Sequence, residues 1–161
     1  MFQPNWVVRG QLSLGSAPLY VHHLQILYSI RITSIFALCS EVEAPVPFGL
    51  SRRFQYHRLI LPDHKSRLVP TPIQIQHAYL LLEQLLQSGS VYVHCQAGVE
   101  RSPLVCMAWL MVVRRLPFLD AFAYLKSVHP TTGPLPDQLS SLRLWYQTYH
   151  FNPGSTAETP S

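Results

Sequence analysis

The chain is short, apolar and weakly charged. Its 161 residues fit one domain, and 48% apolar against 12% charged residues is a globular composition that excludes an intrinsically disordered chain. The formal net charge of +4 favours anionic partners. Only two lysines occur and no dense basic run is present, so we expect no nucleic acid partner.

The cysteines indicate the compartment and exclude a metal cluster. Cys39, Cys95 and Cys106 are odd in number and lack paired CxxC spacing, which favours a reducing compartment without disulfides or metal. No basic segment followed by an apolar one opens the chain, and the longest apolar run, Leu104–Val113, is too short to cross a bilayer. We therefore expect a cytoplasmic protein with no membrane span, no metal and no cofactor.

The first half of the chain alternates strands with a helix. Trp6–Leu14 and Ile32–Leu38 have the pattern of strands, and the second is a continuous apolar run typical of a strand covered on both faces. Leu19–Ile30 between them has helical spacing. Phe54–Leu61 alternates in part and ends at Pro62, which predicts a third strand.

The second half begins with a well-marked helix. Thr71 is a good N-cap, Pro72 suits the first helical position, and Gln74 completes a capping box. This helix is predicted to run to about Ser88, before a glycine that can take a left-handed C-cap conformation. The next elements are the strand Val91–His94 and the helices Ser102–Arg115, Phe118–Val128 and Asp137–Tyr149.

The order of these elements predicts the fold class. Strands that alternate with helices indicate an α/β domain over residues 1–151, with a mainly parallel central sheet flanked by helices on both faces. Residues 152–161 are rich in Pro, Gly, Ser and Thr, and we expect them to form a disordered C-terminal tail.

The loop after the strand Val91–His94 carries the chemistry. It brings Cys95 into a turn that ends with Arg101 at a helix start, through Gln96, Ala97, Gly98, Val99 and Glu100. Inward-facing amides and the helix N-terminus would bind an anion, and an arginine can grip two phosphate oxygens at once. The same positive field favours the thiolate of Cys95, which is a nucleophile beside a bound phosphorus atom.

The segment His94–Ser102 reads HCxxGxxRS and resembles the signature of cysteine-based protein tyrosine and dual-specificity phosphatases, with a likeness that extends over about Trp6–Tyr149. The resemblance implies that Cys95 is the nucleophile and that Arg101 binds phosphate. It also implies that the Ser102 hydroxyl assists departure of the sulfur, and that His94 orders the loop.

The resemblance further implies an aspartate, upstream of the cysteine, that protonates the leaving group. Asp63 follows a predicted strand and is the one aspartate ahead of the loop, so it is the expected acid. A plain turn residue after proline is the alternative interpretation of Asp63. Glu41 or Glu43 is the second choice for the acid.

The substrate expectation comes from chain length and loop composition. A short chain favours the compact dual-specificity type, which acts on phosphotyrosine and on phosphoserine or phosphothreonine in proteins. The loop has no lysine, and Glu100 would discourage highly anionic substrates if it faced the pocket. A phosphatase for lipid, nucleotide or sugar phosphates stays open, as does an inactive phosphate-binding module, although the presence of Cys95, Arg101 and Asp63 together favours an active enzyme.

Cys39 is a candidate redox partner of Cys95. It follows the strand Ile32–Leu38, and the carboxyl ends of parallel strands gather at one edge of a sheet. Some lipid phosphatases of the same superfamily have a cysteine at a similar strand end that forms a protective disulfide with the nucleophile. The alternative interpretation is a buried core residue.

Overall fold

The structure, a computed structural model, describes residues 1–151. A five-stranded sheet in the order β1-β2-β5-β3-β4 forms its centre. The strands are β1 Asn5–Val8, β2 Leu12–Gly15, β3 Ser34–Ala37, β4 Gln55–Arg58 and β5 Val91–His94. β1 is antiparallel to β2, and the other neighbouring pairs are parallel. This confirms the predicted α/β fold with a mainly parallel sheet. The predicted disordered tail, residues 152–161, lies outside the described residues.

Helices cover both faces of the sheet, as predicted. They are α1 Val21–Ser29, α2 Leu50–Arg53, α3 Pro72–Leu86, α4 Arg101–Val113, α5 Phe118–Val128 and α6 Pro136–Tyr149, with a short 3-10 turn at His64–Ser66. The larger apolar core joins the sheet to α3, α4, α5 and α6, and the smaller one joins it to α1 and α2. None of the helices within residues 1–151 combines the length and apolarity needed to cross a membrane.

The prediction of one strand over Trp6–Leu14 is wrong, because the chain turns back in the middle of that segment. Gly10 has φ 76°, and the Gln11 N–H donates to the Val8 carbonyl at 3.0 Å. β1 and β2 therefore form an antiparallel hairpin. Apolar residues on both sides of the turn made the segment look continuous, although the glycine is the residue that a left-handed turn requires.

Strand β5 divides its side chains between the two cores. Val91 and Val93 pack toward α4, while Tyr92 packs toward α1 and α2. All four residues of β5 are buried, which explains why the sequence shows an apolar run without polar alternation. His94 is paired with Gly15 of β2 and with Ala37 of β3, so three strand ends meet at the start of the Cys95 loop.

The ends of α3 show where local sequence rules hold and where tertiary contacts prevail. Thr71 and Gln74 form the predicted capping box, with bonds of 2.9 and 3.3 Å. The predicted C-terminus is wrong by about two residues, because the helix ends at Leu86. Gly89 has φ 147° and lies against the Thr33 side chain, so close packing with the segment before β3 requires a glycine there.

Candidate active site

The loop from Cys95 to Arg101 turns its carbonyl groups outward. Four of them accept hydrogen bonds from the surrounding scaffold: Cys95 O from His94 Nδ1 at 3.1 Å, Gln96 O from the Ala17 N–H at 3.1 Å, Gly98 O from His129 Nε2 at 2.7 Å, and Val99 O from the Gly133 N–H at 2.8 Å. A planar trans peptide points its N–H opposite to its C=O, so the amides that follow these carbonyls face inward.

The inward amides are available to a ligand. Within residues 1–151, no N–H group of residues 96–101 donates a hydrogen bond to the protein. These groups surround the amino end of α4, where the helix dipole adds partial positive charge. The loop therefore has the form of an anion-binding nest.

Gly98 fixes the path of this loop. Its φ is 74°, and a Cβ at this position would lie 2.5 Å from the Gly15 carbonyl carbon and 2.8 Å from the Ser16 nitrogen. Both the left-handed backbone and the close approach to the end of β2 exclude a side chain. The glycine in the motif thus has a direct structural reason.

Cys95 lies at the bottom of the loop, 3% exposed, with its sulfur 3.5 Å from the Ser102 hydroxyl on the first turn of α4. Behind it, burial lowers the pKa of His94 to about 4, although the bond to the Cys95 carbonyl acts in the opposite direction. His94 is therefore neutral at pH 7. Its Nδ1–H donates to the Cys95 carbonyl, so the histidine holds the backbone and supplies no charge.

Arg101 is held by its end, so that one side of its guanidinium stays free. The Glu43 carboxylate accepts hydrogen bonds from Nη2 at 2.7 Å and from Nη1 at 3.4 Å. Nη1 also donates to the Leu61 carbonyl at 3.1 Å. Among the described residues, nothing accepts from Nε–H or from the second Nη2–H. These two parallel donors form the fork that suits a phosphate. Burial opposes the charge of Arg101, but Glu43 outweighs burial and raises its pKa.

Glu43 is ionised in this arrangement. Burial alone would raise its pKa, but hydrogen bonds from Arg101 and from Ser40 outweigh burial and lower the pKa to about 2. Both oxygens of Glu43 already accept hydrogen bonds, and a carboxyl group with so low a pKa is a poor proton donor. This charge state argues against Glu43 as the acid, and Glu41 is exposed and lies outside the cavity lining.

Asp63 lines the same cavity as Cys95 and Arg101, with a volume of about 100 Å³. Its Oδ2 lies 4.0 Å from Arg101 Nη2, and its Oδ1 accepts the Ser66 N–H at 3.1 Å. The structure thus brings the three residues together. The turn interpretation is also correct in part, because Asp63 caps the 3-10 turn with one oxygen while the other faces the cavity.

Cys39 is buried at the same sheet edge, with its sulfur 4.0 Å from His94 Nδ1. Burial raises the pKa of its thiol to about 11, against the opposing effect of Arg101. Cys106 is buried inside α4, and burial raises the pKa of its thiol as well. Both side chains are protonated thiols at neutral pH.

The sequence alone did not predict several of the contacts that hold the loop. His129 and Gly133 bond the loop from beyond α5, and Glu43 proved to be the partner of Arg101. Glu100 contacts His64 and Gln138. For Glu43, the one available signal was its place as an acidic residue shortly after β3, at the edge where the strands end. The other contacts join residues far apart in the chain and have no local signature.

A cysteine at a strand end, an amide-lined loop and an arginine at a helix start define the class of cysteine-based phosphatase domains. The family model described as the dual specificity phosphatase catalytic domain matches residues 14–148. The chain belongs to this family.

Curated relatives and solved structures agree with this assignment. Dual specificity protein phosphatase 5 of Rattus norvegicus is 44% identical over 124 residues, 76% of this chain and 30% of that protein. Dual specificity protein phosphatase 1-A of Xenopus laevis is 29% identical over 152 residues, 93% of this chain and 39% of that protein. The chain thus spans well under half the length of these relatives.

Among solved structures, the human tyrosine phosphatase-like serine/threonine/tyrosine-interacting protein has a TM-score of 0.76 at 23% identity, covering 91% of this chain and 97% of that one. PTPMT1 in complex with PI(5)P has a TM-score of 0.76 at 19% identity, covering 90% of this chain and 95% of that one. At these identities the likeness is one of fold.

Proposed function

We propose that residues 1–151 form a catalytic domain that hydrolyses phosphate monoesters through a phosphocysteine on Cys95. The observation that carries this proposal is the arrangement around the small cavity. Loop amides and an edge of Arg101 that have no partner within residues 1–151 surround the place where a phosphate would meet the Cys95 sulfur. Gln96, Ala97, Gly98, Val99 and Glu100 supply the backbone of this substrate-binding loop.

The two chemical steps assign roles to the remaining residues. In the first, the Cys95 thiolate attacks phosphorus, the ester P–O bond breaks, and Asp63 gives its proton to the departing oxygen. In the second, Asp63 takes a proton from water, the water oxygen attacks the phosphocysteine, and the S–P bond breaks. The Ser102 hydroxyl, 3.5 Å from the sulfur, donates a hydrogen bond to the thiolate as it leaves.

The size of the cavity supports a protein substrate. Pockets that enclose small molecules usually measure about 300–1,000 Å³, whereas this cavity measures about 100 Å³. It fits a phosphate group and leaves the rest of the substrate outside. We therefore propose phosphotyrosine and phosphoserine or phosphothreonine in proteins as substrates. Loop residues 96–100 carry no cationic side chain for additional phosphates, which disfavours phosphoinositides, whereas Lys65, which lines the cavity from the Asp63 segment, is a cation that such substrates could use.

Hydrolysis of p-nitrophenyl phosphate tests the activity. Wild type and Cys106→Ala, a cysteine control inside the core, should be active, whereas Cys95→Ser should be inactive but still bind orthovanadate. Arg101→Lys should weaken both vanadate binding and turnover, because lysine lacks the two-pronged donor. Substantial turnover by Cys95→Ser would refute the covalent route. Faster hydrolysis of phosphoinositide vesicles than of phosphopeptides would refute the protein substrate.

The role of Asp63 is tested by the leaving group. Asp63→Asn should lower kcat/KM, which reports P–O cleavage, by about 10²–10⁴-fold for phenyl phosphate, which has a poor leaving group. The loss with p-nitrophenyl phosphate, whose leaving group needs little protonation, should be much smaller. Equal losses in kcat/KM on the two substrates would assign Asp63 a structural role only.

A further inference from the structure

The segment that carries Asp63 is weakly held. None of residues 62–69 is buried, and the hydrogen bonds of the 3-10 turn are internal to it. Among the described residues, two polar contacts connect side chains of this segment to other parts of the chain. Asp63 Oδ2 approaches Arg101 Nη2 at 4.0 Å, and His64 Nδ1 meets Glu100 Oε1 at 2.7 Å. A segment with so little packing depends on such contacts for its position.

Glu100 is itself anchored on a third element. Its Oε2 accepts the Gln138 side-chain N–H at 3.1 Å, and the Gln138 Oε1 accepts the Leu135 N–H at 2.8 Å. Because that backbone N–H fixes the amide oxygen, the amide nitrogen must point to Glu100. Gln138 is buried, so α6 fixes the position of the Glu100 carboxylate independently of its contact with His64.

The orientation of the Glu100 side chain also explains why an acidic residue can lie beside a phosphate site. One carboxylate oxygen faces His64 and the other faces Gln138, and the side chain is largely buried. Contact of His64 with Glu100 needs a proton on Nδ1, and that proton shields part of the negative charge. The Glu100 carboxylate therefore binds the segment of residues 62–69, through His64.

We propose that Glu100 is a positioning residue for Asp63: through His64 it holds the segment of residues 62–69 so that the Asp63 carboxyl faces the cavity. This inference rests on the proposed function, in which Asp63 is the acid. Since Asp63 precedes His64 in the chain, release of His64 leaves the longer contact between Asp63 and Arg101 as the remaining polar contact from a side chain of this segment to another part of the described chain. A displacement of about 1 Å can lower a rate by about 10²-fold.

The experiment compares Glu100→Ala and His64→Ala with wild type on phenyl phosphate and p-nitrophenyl phosphate. Each variant should lose about 10–100-fold in kcat/KM, which reports P–O cleavage, on phenyl phosphate and less than about threefold on p-nitrophenyl phosphate. Glu100→Gln, whose amide oxygen can still accept from Nδ1–H, should be closer to wild type. Asp137→Asn removes an exposed acid next to Gln138 and is the charge control, with unchanged rates.

A second series asks whether Glu100 acts through Asp63. In the Asp63→Asn background, Glu100→Ala should add less than about twofold on phenyl phosphate, because no acid remains to be positioned. Orthovanadate affinity should not fall in Glu100→Ala, which separates mispositioning of Asp63 from collapse of the loop.

The inference about Glu100 and the proposed role of Asp63 are contradicted by different results. Equal loss by Glu100→Ala on both substrates, or a further large loss in the Asp63→Asn background, would overturn the inference and leave the role of Asp63 intact. A wild-type rate for Glu100→Ala on phenyl phosphate would do the same. An Asp63→Asn variant with no dependence on the leaving group would overturn the proposed role of Asp63, and the inference with it.

Discussion

Glu43 and Arg101 show how one ion pair can prepare a binding group. The Arg101 side chain is buried, and a buried charge without a partner is costly. Glu43 supplies the partner and occupies the end of the guanidinium, which leaves the Nε side for an incoming phosphate. The pairing thus stabilises the charge and selects the edge that binds.

Glu43→Gln should lower the free energy of unfolding by about 1–3 kcal/mol at pH 7, because it removes a charge-assisted pair and leaves a buried cation. The pKa of Glu43 is about 2 in the folded protein and 4.5 in its ordinary state. Its contribution is therefore complete above pH 4.5 and is lost as the pH falls toward 2. Urea unfolding of the variant and wild type across this pH range measures the difference.

Glu41→Gln, at an exposed position of the same segment, is the control for this experiment and should match wild type. The difference between Glu43→Gln and wild type should narrow steadily as the pH falls below 4.5. A difference that stays constant down to pH 2 would mean that the Glu43 charge does not stabilise Arg101.

At the scale of elements, the contact between the Cys95 loop and the end of β2 sets the shape of the nest. Gly98→Ala should clash with the Gly15 backbone, shift the loop and weaken orthovanadate binding by at least about tenfold. Gly10→Ala is a matched control, since Gly10 has nearly the same φ but no atom within 4 Å of the added Cβ.

Both glycine variants should lose about 1–2 kcal/mol of stability from the left-handed backbone. Gly98→Ala alone should lose oxyanion binding, which isothermal calorimetry with orthovanadate measures. Equal vanadate affinity in the two variants would show that the loop adapts without its contact to β2.

The convergence of strand ends also bears on Cys39. We propose that peroxide converts the Cys95 thiolate to a sulfenic acid, and that the Cys39 sulfur then attacks it, forming a disulfide and releasing water. The raised pKa of Cys39, about 11, makes this attack slow at neutral pH. Mass spectrometry after peroxide treatment should find the disulfide, and dithiothreitol should restore activity.

Cys39→Ser should recover a smaller share of its activity than wild type after the same treatment, because its sulfenic acid oxidises further. Recovery equal to that of wild type would contradict the redox role and leave Cys39 as a core residue.

At the scale of the whole molecule, the sequence predicted what local patterns determine. The capping box of α3, the apolar strands β3 and β5 and the helix after the loop follow from neighbouring residues. The β1–β2 hairpin was missed because apolar residues flank its glycine on both sides. The type and spacing of Cys95 and Arg101 predicted an anion-binding loop, and the resemblance to the phosphatase family implied Asp63 as the acid.

The contacts that support the Cys95 loop could not be predicted from the sequence, for a different reason. The bond from His129 to Gly98 and the contact between His64 and Glu100 join side chains that come together only after the sheet forms. A histidine or a glutamate with no periodic neighbours has no local signature. Such partners can be identified only when the fold places them beside the loop.

Detection of the phosphoenzyme is the most direct test of the proposed function. Rapid acid quench of the protein with a phosphorylated peptide, followed by mass spectrometry, should find a phosphate on Cys95 during turnover. With p-nitrophenyl phosphate, whose leaving group needs little protonation, the same phosphate should accumulate further in Asp63→Asn, because only the activation of water is then impaired. Turnover with no phosphocysteine at any quench time, or with the phosphate on another residue, would contradict the proposed mechanism.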